Sequence, residues 1–68
     1  MVNTNKLKGL FREKGITIEQ AAKIAGISAS TMQRRLESGV FMTDEIDHLV
    51  YGLKIEKPAE IFFVNEVT

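Results

Sequence analysis

TIEQAAKIAGISASTMQRRL, residues 17–36, reads as two short helices joined by a tight turn, and the rest of the chain is organised around it. Thr17 suits the N-cap of the first helix, and Gln20, three residues on, completes a capping box. Ile18, Ala21, Ala22 and Ala25 then recur at i, i+3, i+4 and i+7, one face of a helix. Three alanines in that stripe let another backbone come close. Gly26 stands where this helix must stop, because the left-handed conformation after a helix costs glycine almost nothing. Ser28 starts the second helix, with Ile27 before it and Met32 after it placed as a hydrophobic staple. Met32 and Leu36 continue the buried face and leave Ala29, Ser30, Gln33 and Arg34 outside. An outer face that is small at its start and polar or basic further along fits a surface that reads its target with side chains better than it fits a catalytic pocket.

Working outward, Asn3 caps an earlier helix with Val2 and Leu7 as its staple, and Leu7, Leu10 and Phe11 form its apolar stripe. Lys14 and Gly15 end it; Gly9 weakens it slightly. Lys6, Lys8 and Arg12 face either phosphate or plain solvent. Ile24 lies off the main stripe of its helix, which leaves two placements open: packed on the first helix, or partly exposed. Beyond the central stretch, Glu37, Ser38 and Gly39 end the second of its helices, and Val40, Phe41 and Met42 form an apolar loop that is costly to leave in water. Phe41 is the residue expected to plug the core. Thr43 is expected to cap a fourth helix, in which Ile46, Leu49, Val50 and Leu53 repeat with helical spacing. Pro58 suits the first position of a short fifth helix carrying Ile61 and Phe62. The spacing predicts helices over 3–14, 18–25, 29–38, 44–53 and 58–63, then a short extended tail. Residues 1–68 form one all-α domain on this reading.

Composition narrows the chemistry. A chain of 68 residues buries only ~60% of its unfolded surface, which leaves room for a core and hardly for a deep cleft. There is no cysteine, hence no disulfide framework, thiolate metal site or thiol nucleophile. His48 is the one histidine and is expected on the polar side of its helix. Asp44, Glu45 and Asp47 crowd one turn with no loop to wrap a cation, so capping and solvation account for them. No base–nucleophile pair or Gly-rich phosphate loop stands out, and an enzyme, a cofactor, a metal and a small-molecule substrate are not expected. The N-terminal residues lack an apolar segment long enough for a signal peptide, and the longest apolar run, 61–64, cannot span a bilayer, so the expected location is cytoplasmic. Formal net charge is zero, yet residues 1–36 carry seven Lys and Arg against two Glu, and residues 37–68 carry two Lys against seven acids. That split of +5 and −5 suggests one surface built to meet a polyanion. Four consecutive apolar residues near the C-terminus exceed what so small a core needs, and Phe62, Phe63 and Val64 are the expected dimer surface.

The run from Thr17 to Arg34, T-x-E-x-A-A-x-x-x-G-I-S-x-S-T-M-x-R, resembles the helix-turn-helix of the phage Cro and repressor class, which includes many small prophage regulators. Extended to the flanking helices, the resemblance covers roughly residues 3 to 63. It implies a compact, repressor-like bundle of about five helices with the motif as its second and third. It also implies a homodimer whose second motif helices enter successive major grooves of a double-stranded DNA operator. Carried onto this chain, the base-facing positions are Ser28, Ala29, Ser30, Gln33 and Arg34. Thr17, Lys23, Arg35 and Ser38 become the phosphate contacts, helped by the helix N-terminal amides at Ile18. The sequence departs from the family in two places. Ile18 stands where a phosphate-touching glutamine is common, and Gly39–Met42 replaces a loop that is often basic. The missing basic loop, the neutral total charge and the apolar patches at 40–42 and 61–64 motivate a second expectation, a modulator or antirepressor that binds another regulator protein. No membrane partner is expected.

Overall fold

The first three helices are bounded by the caps their own sequence supplies. The computed structural model describes residues 1–63 and comprises α1 (Thr4–Lys14), α2 (Ile18–Ala25), α3 (Ala29–Ser38), α4 (Thr43–Leu53) and α5 (Pro58–Phe62), with no strand among the described residues. Asn3 Oδ1 accepts the Lys6 amide at 3.1 Å to start α1. At α2 both halves of the capping box form, the Gln20 amide donating to Thr17 Oγ1 at 3.1 Å and the Thr17 amide to Gln20 Oε1 at 2.8 Å. Ser28 Oγ accepts the Thr31 amide at 3.2 Å to start α3.

The fourth helix departs from expectation. It begins at Thr43, so Thr43 is its first helical residue, and the cap position falls to Met42, which has no side-chain acceptor for the amides of the first turn. Glu45 reaches back instead, its Oε1 accepting the Met42 amide at 3.0 Å. α5 ends at Phe62, one residue short of the expected bound. The predicted extended tail lies outside the described residues.

α2 is the central element, packed on α3 and α4, while α5 lies against α1. The core takes Leu7 and Phe11 from α1, the three alanines of α2, Met32 and Leu36 from α3, Leu49 and Leu53 from α4, and Ile61 and Phe62 from α5. The loop after α3 splits by residue. Phe41 turns inward and meets Phe62 edge to face, ring centroids 6.4 Å apart, whereas Val40 and Met42 stay exposed. Ile24 is half-buried, and its side chain fills the space over Gly52 of α4. A Cβ at position 52 would run into Ile24 Cγ2, so glycine there is what lets α2 and α4 approach. The N-terminal segment joins two distant parts of the chain, the Val2 amide donating to the Gly39 carbonyl at 3.0 Å and the Asn3 amide to the Ile61 carbonyl at 2.7 Å. No helix among the described residues is long and apolar enough to cross a membrane.

Candidate functional site

The turn between α2 and α3 is three residues long, and each contributes a fixed bond. Gly26 takes the left-handed conformation at φ 80° and its amide caps α2 on the Lys23 carbonyl at 3.2 Å. The Ile27 amide returns to the Ala22 carbonyl at 3.0 Å, and Ser28 opens α3. His48 braces this turn from α4. Its Nδ1 lies 3.2 Å from the Ala25 carbonyl, which can only accept, so Nδ1 carries the proton. The imidazole also sits against Gly26. It is thus exposed on its helix, as expected, with a structural task that the sequence did not reveal.

On α3, Ser30, Gln33 and Arg34 are exposed and Ala29 is half-buried, all on or beside one face. Ser28 is exposed, yet its hydroxyl is already committed: besides capping Thr31 it donates to Thr31 Oγ1 at 2.9 Å and lies 3.3 Å from Ser30 Oγ. Arg34 Nη2 leans back to Thr31 Oγ1 at 3.4 Å, a long contact that leaves most of its donors free. The Gln33 side chain has no hydrogen-bond partner within the chain among the described residues. Glu37 shares this outer face, one turn beyond Gln33, and is exposed. Sequence reading placed it only at the helix end; its spacing of four from Gln33 was the available signal.

The phosphate candidates separate into free and engaged groups. Lys23 is exposed with no ion-pair partner among the described residues. Thr17 Oγ1 accepts from Gln20, which leaves its own proton free to donate. Ser38 Oγ is used at the end of α3, donating to the Arg35 carbonyl at 3.3 Å and accepting the Val40 amide at 3.2 Å. Arg35 is held by Glu45: Nε donates to Oε1 at 2.9 Å and Nη2 to Oε2 at 3.0 Å. Glu45 is only 4% exposed. The hydrogen bond to Arg35 is the main reason its carboxyl lies below the ordinary value, against the opposing effect of burial, and the same bond raises Arg35. Arg35 is therefore occupied by a carboxylate at the place where the family resemblance puts a phosphate contact.

Two cations that sequence left between phosphate and solvent now have an address. Lys8 and Arg12, four apart on α1, line a shallow groove with Thr17 and Ile18 at the start of α2. Lys6 does not join them, since its Nζ lies 3.6 Å from Glu60 Oε1 on the α5 side. The expected dimer surface is also divided. Phe62 is 3% exposed and belongs to the core against Phe41, so it is unavailable to a partner; Phe63 is exposed, and Val64 lies outside the described residues. No protein-family model, curated protein or solved structure matches this chain.

Proposed function

We propose that the chain is a small sequence-specific DNA-binding regulator, similar to Cro-like prophage proteins, in which α2 and α3 form a helix-turn-helix and α3 is the recognition helix. The observation that carries this reading is the outer face of α3. Its exposed Ser30, Gln33 and Arg34 stand on a helix whose start is fixed by two capped termini and a three-residue turn. Side chains held that rigidly can be matched to base edges; the same residues on a loop would lose the register. Gln33 has the amide geometry for bidentate reading of adenine, Arg34 that for guanine, and Ala29 offers a methyl to thymine. Lys8, Arg12 and Thr17 supply two cations and a donor beside the start of α2, the side from which a duplex backbone would approach, and Lys23 adds an exposed cation in the last turn of that helix. A homodimer would set two such helices about 34 Å apart, one duplex turn.

The test is an NMR titration of labelled protein with random-sequence duplex at low and high salt. Shifts at the amides of 28–35 that fade with salt support DNA binding, and selection from a random pool then gives the operator. Unmoved amides at both salt concentrations overturn it.

One observation favours a second reading, a protein-binding modulator on the same scaffold. Met1, Val40, Met42 and Phe63 are each more than half exposed, and Met1 and Val40 border a concavity floored by Val2, Phe41 and Phe62. Binding through that surface would depend weakly on salt, opposite to the DNA reading.

A further inference from the structure

Arg35 and Glu45 are ten residues apart, on α3 and α4, with the 39–42 link between them. α3 lies along α2, while its backbone makes little contact with α4. Among the described residues, the two bonds of this ion pair are the only hydrogen bonds joining α3 to α4. Glu45 also holds the Met42 amide, so a single buried carboxylate secures the end of the link and the start of α4 as well as the middle of α3. A two-pronged guanidinium–carboxylate contact fixes separation and in-plane rotation together, which a lysine cannot do.

We propose that Arg35 and Glu45 are positioning residues: their ion pair sets the angle of α3 on the domain, and thereby the base selectivity of its outer face, and Arg35 does not serve as a phosphate contact. The proposal rests on the DNA reading above. Its physical ground is the burial of Glu45. Turning Arg35 toward a phosphate would strand that carboxylate in the interior without its cation, a far costlier state than leaving an exposed lysine to meet the phosphate. Base reading needs side chains held to roughly 0.5 Å and 10–20°, so a small rotation of α3 changes selectivity before it changes general attraction to the backbone.

The experiment compares wild type with R35M/E45L, which replaces the pair by apolar side chains of similar size. Thermal unfolding, the amide spectrum of α3 and affinity for a selected and a random-sequence duplex are measured across salt. The expected result is a folded protein with displaced amides over 29–38. The ratio of selected to random affinity falls about tenfold, and the salt slope does not change. If the slope drops by about one and both duplexes weaken equally, Arg35 is a phosphate contact and the proposal is overturned. Unmoved α3 amides with an unchanged ratio overturn it as well. Should R35M/E45L not fold, R35K decides: it keeps a cation for the buried carboxylate and for any phosphate but loses the two-pronged contact, so displaced α3 amides with a lower ratio support the proposal, and unmoved amides with an unchanged ratio overturn it. If wild-type protein binds neither duplex in a salt-dependent way, the DNA reading fails by itself, and the α3 amides of R35M/E45L still report whether the pair positions that helix.

Discussion

Gln33 and Arg35 lie two positions apart on α3, and their surroundings give them opposite work. Gln33 is exposed and free of partners, so its truncation to alanine changes only what it meets in a complex. On the DNA reading, Gln33→Ala is expected to weaken binding to the selected duplex by about 1–3 kcal/mol and to leave random-sequence binding almost unchanged. Quantitative band-shift titrations on both duplexes check this. Glu45, by contrast, makes stability depend on acid. Its folded pKa is lowered from an ordinary 4.5, so the stabilisation is complete above that value and is lost as the pH falls through the lower folded one. The stability difference between wild type and Glu45→Gln should therefore stay constant from neutral pH to about 5 and shrink below it, which urea melts at stepped pH would show. The sequence did not disclose this pair. Glu45 was legible as a first-turn acid, because helix dipoles favour acids there, but nothing local marks which cation ten residues back shares its space.

At the scale of elements, boundaries were legible wherever a helix carries its own stop and start. Asn3, Thr17 and Ser28 act as the sequence implies, since a side-chain oxygen next to free amides needs no tertiary help. The start of α4 slipped by one residue because the cap falls to Met42, whose amide Glu45 takes from within the helix, and Thr43 joins the helix instead of capping it. The contact of Ile24 with Gly52 was not legible, for it depends on how α2 and α4 cross. It yields a sign test. Gly52→Ala gains about 1 kcal/mol of helix propensity but drives a methyl into Ile24, which typically costs about 1–3 kcal/mol. In an Ile24→Ala background the obstacle is gone, so the same substitution should become stabilising; a double-mutant cycle from denaturant melts gives both signs. The end of α4 offers a simpler gain. Lys54 closes it at φ 53°, the one non-glycine residue with positive φ among those described. Lys54→Gly should relieve that strain and raise stability by about 1 kcal/mol, read as a rise of roughly 4–8 °C in the thermal midpoint.

For the whole molecule, the interior and the surface compete for the same aromatic residues. Sequence grouped Phe62 with Phe63 as a surface for a partner, since adjacent apolar residues near a terminus carry no sign of which one the core takes. The structure sends Phe62 inward to Phe41 and Phe63 outward. Phe62→Ala should cost about 3–5 kcal/mol and threaten folding, while Phe63→Ala should leave the melting curve of dilute protein nearly unchanged. Any effect of the latter on sedimentation at high concentration would report self-association. The five-helix layout was legible almost throughout, and so was the exposed face of α3; the division of labour among its charges was not, because charge partners are chosen in space. The bond from the Asn3 amide to the Ile61 carbonyl also bears on how the chain is made. The two partners are separated by 58 residues, about 3–12 s of synthesis, during which α1 to α4 emerge without the helix that closes over them. A growing chain can pack α2 with α3 and α4 before then, but it holds α1 in place only once α5 is present, so full protease resistance should appear only after α5 has left the ribosome.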